Sequence, residues 1–202
     1  MFSGIVDRIG EIQRVEPSPT GKQIVIRAEG YWDDLTPGAS VAVDGVCLTI
    51  VARDLRDARF DVVPETLKRS TLGDAARARR VNLQKSLIVG DRIDGHFVQG
   101  HVDAVATVEQ ACRDRESSWH FALAPYVLPC VIPKGSIAID GVSLTVASVS
   151  SSGFSVALIP TTLERTTFGE KRVGDAVNIE TDILVRSVVH HLESIQRTRI
   201  QP

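Results

Sequence analysis

The side chains able to do chemistry are few and unevenly spread. The 202-residue chain carries five histidines (His96, His101, His120, His190 and His191) and three cysteines (Cys47, Cys112 and Cys130). Imidazole titrates nearest neutrality and is the side chain best suited to moving protons. A thiol is a strong nucleophile only where its surroundings lower its pKa. No histidine pair stands in HExxH or another zinc-ligand spacing and there is no CxxC, so the sequence offers no metal motif. Walker, GxGxxG, GxSxG and kinase signatures are missing too. Chemistry has to be located by another signal, and an internal repeat supplies it.

Two halves align at a fixed offset of 96 residues. SVAVDGVCLT (40–49) and SIAIDGVSLT (136–145) are identical at seven of ten positions, and PETLKRSTLG (64–73) and PTTLERTTFG (160–169) at six of ten. The Gly, Val and Asp of FSGIVD (2–7) recur in FVQGHVD (97–103), and VNL (81–83) recurs as VNI (177–179). Positions that match build a common fold or pocket. Positions that differ inside a matched block are where asymmetric chemistry would sit. Three stand out: Cys47 against Ser143, Ile5 against His101, and Ser86 against Asp182. This groups His101, Ser143 and Asp182 in the second half and Cys47 in the first.

Each candidate also has a plain structural role. Cys47 can be a small core residue and His101 a structural histidine in a strand. Ser143 and Thr145 can simply pair across a hairpin, as can Ser40, Thr49 and Ser136. Asp182 can be a favourable charge at a helix start. Residue types and spacing thus reach two similar pockets with uneven polar decoration, and no substrate.

The elements that must position these groups are mostly strands. SVAVDGVCLTIV reads as strand, Asp-Gly turn and strand, a strong hairpin signal. KQIVIRAE, RFDVVP and FSVALIP are further short strands, and Pro64 and Pro160 each open a brief helical turn. Many short strands with Gly and Asp turns predict a small closed antiparallel barrel in each half, closure removing exposed edges. From Ile183 to about Arg197, Val185, Val188, Val189, Leu192 and Ile195 recur at helical spacing. That amphipathic helix either packs on its own barrel or mediates self-association. The expected units are a barrel over 1–95, a second over 96–186, and an oligomerisation helix and tail over 187–202.

Composition excludes other classes. With 23 Lys and Arg against 25 Asp and Glu, the net charge of -2 does not suggest a nucleic-acid surface. No apolar stretch approaches the ~18–20 residues of a membrane helix. The start, MFSGIVDR, lacks the basic and apolar segments of a signal peptide. An odd, sparse set of three cysteines without CxxC argues against a disulfide framework and for thiols in a reducing cytoplasm.

At these residues the chain resembles the alpha-chain family of riboflavin synthase. The motifs are MFSGIVDRIG (1–10), VDGVCLT (43–49), DGHFVQGHVD (94–103), IDGVSLT (139–145), IPTTLERTT (159–167) and VNIETD (177–182), and together they span essentially the whole chain. The resemblance implies a transferase of riboflavin biosynthesis. Two molecules of 6,7-dimethyl-8-ribityllumazine disproportionate by transfer of a four-carbon unit, giving riboflavin and 5-amino-6-(ribitylamino)uracil without metal or redox cofactor. It also implies two six-stranded barrels, each binding one lumazine, and a C-terminal helix. The assembly it implies is a homotrimer whose active sites form between the N-barrel of one subunit and the C-barrel of a neighbour. Lumazine synthase is a candidate partner protein.

Carried over by residue, the N-barrel pocket uses Cys47, Leu48 and Thr49, the run Asp61, Val62, Val63, Pro64, Glu65 and Thr66, and Gly100, His101 and Val102 at the join. The C-barrel pocket uses Gly4, Ile5 and Val6, then Ser143, Leu144 and Thr145, with Lys134 as a further contact. Leu158, Ile159, Pro160, Thr161, Thr162 and Leu163 complete it. The catalytic groups match Ser40, Cys47, His101, Ser143, Thr145 and Asp182. The resemblance implies proton transfer by His101 and Thr145, orientation by Ser143 and Asp182, and stabilisation of or addition to the activated lumazine by Cys47. Three departures from the family pattern are Asp44 in place of Asn, Gln84 in place of a carboxylate, and Thr161 in place of Glu. The alternative is a lumazine-binding antenna protein of the same fold, which holds its ligand without turning it over. A purely structural duplicated barrel ranks last.

Overall fold

The structure, a computed structural model, describes residues 1–112 and 117–200, without the side chains of residues 199 and 200. The last two residues of the expected tail lie outside the described residues. The first half forms β1 (Arg8–Ser18), β2 (Gly21–Arg27), β3 (Ser40–Val43), β4 (Val46–Arg53), β5 (Asp57–Val62) and β6 (Arg80–Lys85), closed in the order β1-β2-β5-β4-β3-β6. The second forms β7 (Ala104–Ala111), β8 (Ser118–Ala122), β9 (Ser136–Ile139), β10 (Val142–Val149), β11 (Gly153–Ala157) and β12 (Ala176–Thr181), closed with the same connectivity. A closed antiparallel barrel in each half is what the strand and turn pattern predicts, and six strands in each is what the family resemblance implies.

The alternation that makes a barrel also decides which side chains face out. In β4, Val46, Leu48 and Ile50 are buried, while Cys47 is half-buried and Thr49 exposed. β10 repeats the pattern, with Val142 and Val146 inside and Ser143 and Thr145 outside. Both strands shift register one step further on, between Ile50 and Ala52 and between Val146 and Ser148. Such bulges add the bend a small barrel needs. Aromatic edges fill the interiors, Trp32 against Phe60 in one and Trp119 against Phe168 in the other. After β5 and β11 come the short helices α1 (Pro64–Arg69) and α2 (Pro160–Arg165), each opened by its proline.

The C-terminal helix α3 (Ile183–Ile200) leaves its barrel early. Val185 and Val189 are half-buried, but Leu184, Val188 and Leu192 remain 63%, 60% and 54% exposed. Its apolar stripe is therefore mostly uncovered within one chain.

The barrels meet at their two Asp-Gly turns. Asp44 and Gly45 have φ of 45° and 75°, and Asp140 and Gly141 have 45° and 77°, the left-handed pair that a tight hairpin turn requires. A Cβ on Gly45 would lie 2.6 Å from Gly141 N, so nothing larger than glycine fits between the turns. Asp44 Oδ1 accepts the Asn82 N–H (2.8 Å), and Asp140 Oδ1 accepts that of Asn178 (2.7 Å). Each Asn then reaches across the junction. Asn82 Nδ2 donates to Asp140 O (3.0 Å) while its Oδ1 accepts the Thr167 N–H (2.8 Å). Asn178 Nδ2 donates to Asp44 O (2.8 Å) while its Oδ1 accepts the Thr71 N–H (2.8 Å). Arg79 pairs with Asp44 Oδ2 (2.8 Å) and Lys171 with Asp140 Oδ2 (2.7 Å).

Burial and the nearby Asp140 charge push the Asp44 carboxyl from 3.8 up to about 6, against the pull of Arg79. Between about pH 4 and 6 the folded chain therefore holds a proton that the unfolded chain has lost. Asp44 accordingly contributes a stability that declines as pH rises through this window and is constant above it. Asp44→Asn keeps an acceptor for Asn82 without the charge. Urea unfolding at a series of pH values should show that the variant's stability, relative to the parent, rises from pH 4 to pH 6 and then levels. A pH-independent difference would contradict the assignment.

Candidate active site

The site is built by two segments that exchange barrels. Phe2 and Val98 form an antiparallel bridge, with N–H to O distances of 2.7 and 3.1 Å. Beyond it, Gly4 O accepts the Ser143 N–H (2.7 Å) and Gly100 O accepts the Cys47 N–H (2.9 Å). Both glycines are needed. Each has positive φ (78° and 81°), and a Cβ would lie 2.6 Å from Ser143 Cβ or 2.5 Å from Cys47 Cβ. Val6 packs on the core of the second barrel and Val102 on that of the first. Each barrel mouth is thus closed by the leading segment of the other half.

This exchange splits the polar set that the sequence groups in the second half. His101 belongs with Cys47, at the first barrel. Together with Glu65, Thr66, Arg69 and Val102 they line a cavity of about 190 Å³. Ile5, His101's counterpart in the repeat, belongs instead with Ser143. The structure brings the 100–102 segment to Cys47 and the 4–6 segment to Ser143, the two sets that the resemblance assigns to the N-barrel and C-barrel pockets.

Buried side chains pin the segments. The Glu180 carboxylate accepts three main-chain N–H bonds, from Gln99 (2.6 Å), Gly100 (2.8 Å) and His101 (3.0 Å). Burial raises its pKa, and those same bonds oppose the rise. In the first half Gln84 holds the matching position. Its Oε1 accepts the Gly4 N–H (2.9 Å) and its Nε2 donates to Ser3 Oγ (2.8 Å). The missing carboxylate is therefore replaced by an amide that clamps the same segment with a donor and an acceptor.

At the second mouth Ser143 Oγ lies 2.7 Å from His96 Nδ1. His96 also donates its main-chain N–H to Ser3 O (3.1 Å). Burial lowers the His96 pKa while the Asp182 charge raises it. Asp182 keeps the structural role weighed above as well, because its Oδ1 accepts the Leu184 N–H (2.9 Å) at the start of α3. His96 escapes the repeat comparison, since no residue stands 96 positions before it. Its neighbours in DGHFVQGHVD were the available signal.

The remaining candidates fall into three groups. Leu48, Val62 and Leu158 point into the cores, so only their main chains can meet a ligand. Ser40 faces Thr49, and Ser136 faces Thr145, across their hairpins. Asp61, Val63, Pro64, Glu65, Ile159, Pro160, Thr161 and Lys134 are exposed, and Thr66, Leu144, Thr162 and Leu163 half-buried. Among the described residues no cluster of His, Cys, Asp and Glu could hold a metal ion.

The model of the lumazine binding domain matches residues 3–85 and 99–182, so the chain belongs to the lumazine-binding-domain family and carries two copies of that domain. Among full-length relatives, the riboflavin synthase of Chlamydia pneumoniae is 42% identical, with 96% of each chain covered. That of Mycobacterium tuberculosis (strain ATCC 25618 / H37Rv) is 40% identical, covering 96% of this chain and 99% of the relative. The fold is shared with LumP complexed with 6,7-dimethyl-8-(1'-D-ribityl) lumazine, at a TM-score of 0.81 and 21% identity, covering 90% of this chain and 99% of that one. LumP complexed with riboflavin gives a TM-score of 0.81 at 22% identity, with the same coverage.

Removing the Glu180 clamp tests the exchange. Glu180→Leu leaves three N–H groups without their acceptor and should cost on the order of 2–4 kcal/mol in urea unfolding. Glu180→Gln, whose amide oxygen still accepts, should cost clearly less. Equal losses would show that the carboxylate does not hold this segment.

Proposed function

We propose that the chain is a riboflavin synthase. It takes two molecules of 6,7-dimethyl-8-ribityllumazine, moves a four-carbon unit from one to the other, and releases riboflavin and 5-amino-6-(ribitylamino)uracil. The two products together contain the atoms of two substrate molecules, so the reaction needs no outside oxidant or reductant. The carrying observation is a pair of like barrel mouths with unlike polar groups, in a chain 34% to 42% identical to riboflavin synthases over nearly its whole length.

One lumazine per barrel is the natural use of two like mouths. Bringing two reactants into register can lower a barrier by ~7–11 kcal/mol, which suits a reaction with little need of strong catalytic groups. The partners are chemically identical but must act differently, so the differences between the mouths carry the roles. His101, the exposed imidazole beside Cys47, is placed to move a proton at the activated methyl group. Thr145 shares in proton transfer at the other ring. Ser143 and Asp182 orient the second lumazine, Cys47 stabilises or adds to the activated first one, and Ser40 supports the Cys47 hairpin. Main-chain groups of 61–66 and 158–163 read the ring edges.

The working unit is a cytoplasmic homotrimer, with catalysis between the N-barrel of one subunit and the C-barrel of the next. The proposed units are barrels over 1–95 and 96–186 and an oligomerisation helix and tail over 187–202, although α3 itself already begins at Ile183. The uncovered Leu184, Val188 and Leu192 on α3 support that assembly. Lumazine synthase, which would supply the substrate, is the partner to test for co-purification.

Purified protein mixed with the lumazine alone should yield riboflavin and the diaminouracil in a 1:1 ratio by chromatography. His101→Ala should lower kcat by about 10²–10⁴ if it is the proton carrier. Tight, fluorescent binding with no riboflavin would move the chain to the antenna proteins.

A further inference from the structure

His96 is held at the second mouth against its own chemistry. It is 8% exposed, and Nε2 has no hydrogen-bond partner among the described residues. An apolar side chain would avoid the penalty of an unpaired buried nitrogen. Among the described residues the one hydrogen bond of its ring is Nδ1 to Ser143 Oγ, at 2.7 Å. Its position is nonetheless tightly fixed. The main-chain N–H reaches Ser3 O (3.1 Å), and a Cβ on the preceding Gly95 would lie 2.1 Å from Ser3 O and 2.9 Å from Ser143 Cβ. Linker, first segment and β10 are packed into one unit around this serine.

Ser143 is therefore tied at both ends, its N–H by Gly4 O and its hydroxyl by His96. Cys47 is tied by its N–H to Gly100 O and packs on the Phe2 and Val98 cluster, and among the described residues its Sγ makes no hydrogen bond. A hydroxyl rotates among three staggered positions and can turn its proton to suit any neighbour. With Nδ1 beside it, that freedom is gone. If Nδ1 carries a proton, it donates to Oγ and the serine proton is sent outward. If it does not, the serine donates inward and presents lone pairs. In either tautomer the mouth offers one kind of group in one direction.

We propose that His96 is a positioning residue for the second lumazine: it fixes the direction of the Ser143 hydroxyl, so that this mouth presents a set polar group where the first presents a thiol that makes no hydrogen bond among the described residues. The inference rests on the riboflavin synthase reading and deepens it. It makes His96 one source of the inequality between two identical substrate molecules.

The test is a variant cycle read by steady-state kinetics on the full chain. His96→Phe and Ser143→Ala should each lower kcat by about tenfold or more, with smaller changes in KM. The double variant should be no worse than the weaker single, because both remove the same interaction. Rescue adds a geometric readout. An asparagine amide stands at the distance of Nδ1 from Cβ and a glutamine amide further out, so His96→Asn should recover most of the loss and His96→Gln little. Melting temperatures of all variants separate folding from positioning. If His96→Phe fails to fold, the Asn and Gln variants decide the question. A folded His96→Phe within twofold of the parent, additive losses in the double variant, or equal activity of the Asn and Gln variants would each overturn the proposal. Should the parent bind lumazine without converting it, the functional reading falls by itself. The same variants are then read on the affinity of the second bound lumazine, with the same expected order.

Discussion

The architecture hangs on the contact between two Asp-Gly turns. Backbone meets backbone there, with no room for a side chain, and the polar groups freed at the contact are satisfied by an Asn and an Asp from each barrel. A buried amide that reaches across and finds both a donor and an acceptor has few alternative poses. Two such amides, related by the repeat, leave the barrels one relative orientation. The Asp44 and Asp140 carboxylates are buried in the same place, each compensated by one cation at the rim. The junction thus specifies geometry at some cost in stability, consistent with the elevated Asp44 pKa.

Fixing the barrels fixes the exchanged segments. Because Phe2 and Val98 pair near this junction, the residues that follow each run to the opposite mouth. The approximate symmetry gives both mouths the same backbone, with a glycine carbonyl on the N–H of residue 47 or 143. Departures from symmetry are confined to side chains: thiol or hydroxyl, imidazole or isoleucine, Gln84 or Glu180. A reaction that joins two copies of one molecule needs this combination. The shared frame recognises the shared ring system, and the differences assign the roles.

Much of the frame was legible from the residues. The offset of 96 gave two barrels, the Asp-Gly dipeptides gave the turns, and Pro64 and Pro160 gave the helix starts. What failed to show was which barrel a segment serves. A repeat aligns residue 5 with residue 101 but carries no information on the direction in which either chain leaves, so the repeat alone could not say that His101 meets Cys47; only the family resemblance put the 100–102 segment with the first barrel. Gln84 looked like a lost carboxylate because the need it meets, two polar groups on Ser3 and Gly4, exists only after folding. The role of His96 is missed by the repeat for a related reason, since its partner Ser143 is 47 residues away and meets it through the linker, and only its place in DGHFVQGHVD marks it. Leu48 was legible after all: the strand's period of two already sends it inward between Cys47 and Thr49.

The exchanged segments also bear on how such a protein can change. If the two halves were separate, identical chains meeting at the same junction, every substitution would enter both mouths at once. An imidazole brought to one thiol would be brought to the other. Joining the halves in one chain separates these inheritances: a change at position 101 alters the mouth that holds Cys47 and leaves the mouth beside Ile5 untouched. Because the segments cross over, a mutation in either half can also tune the opposite barrel without disturbing the strands that make it fold. Fusion converts a symmetric pair into two addressable sites, and the crossing places the controls for each outside its own barrel.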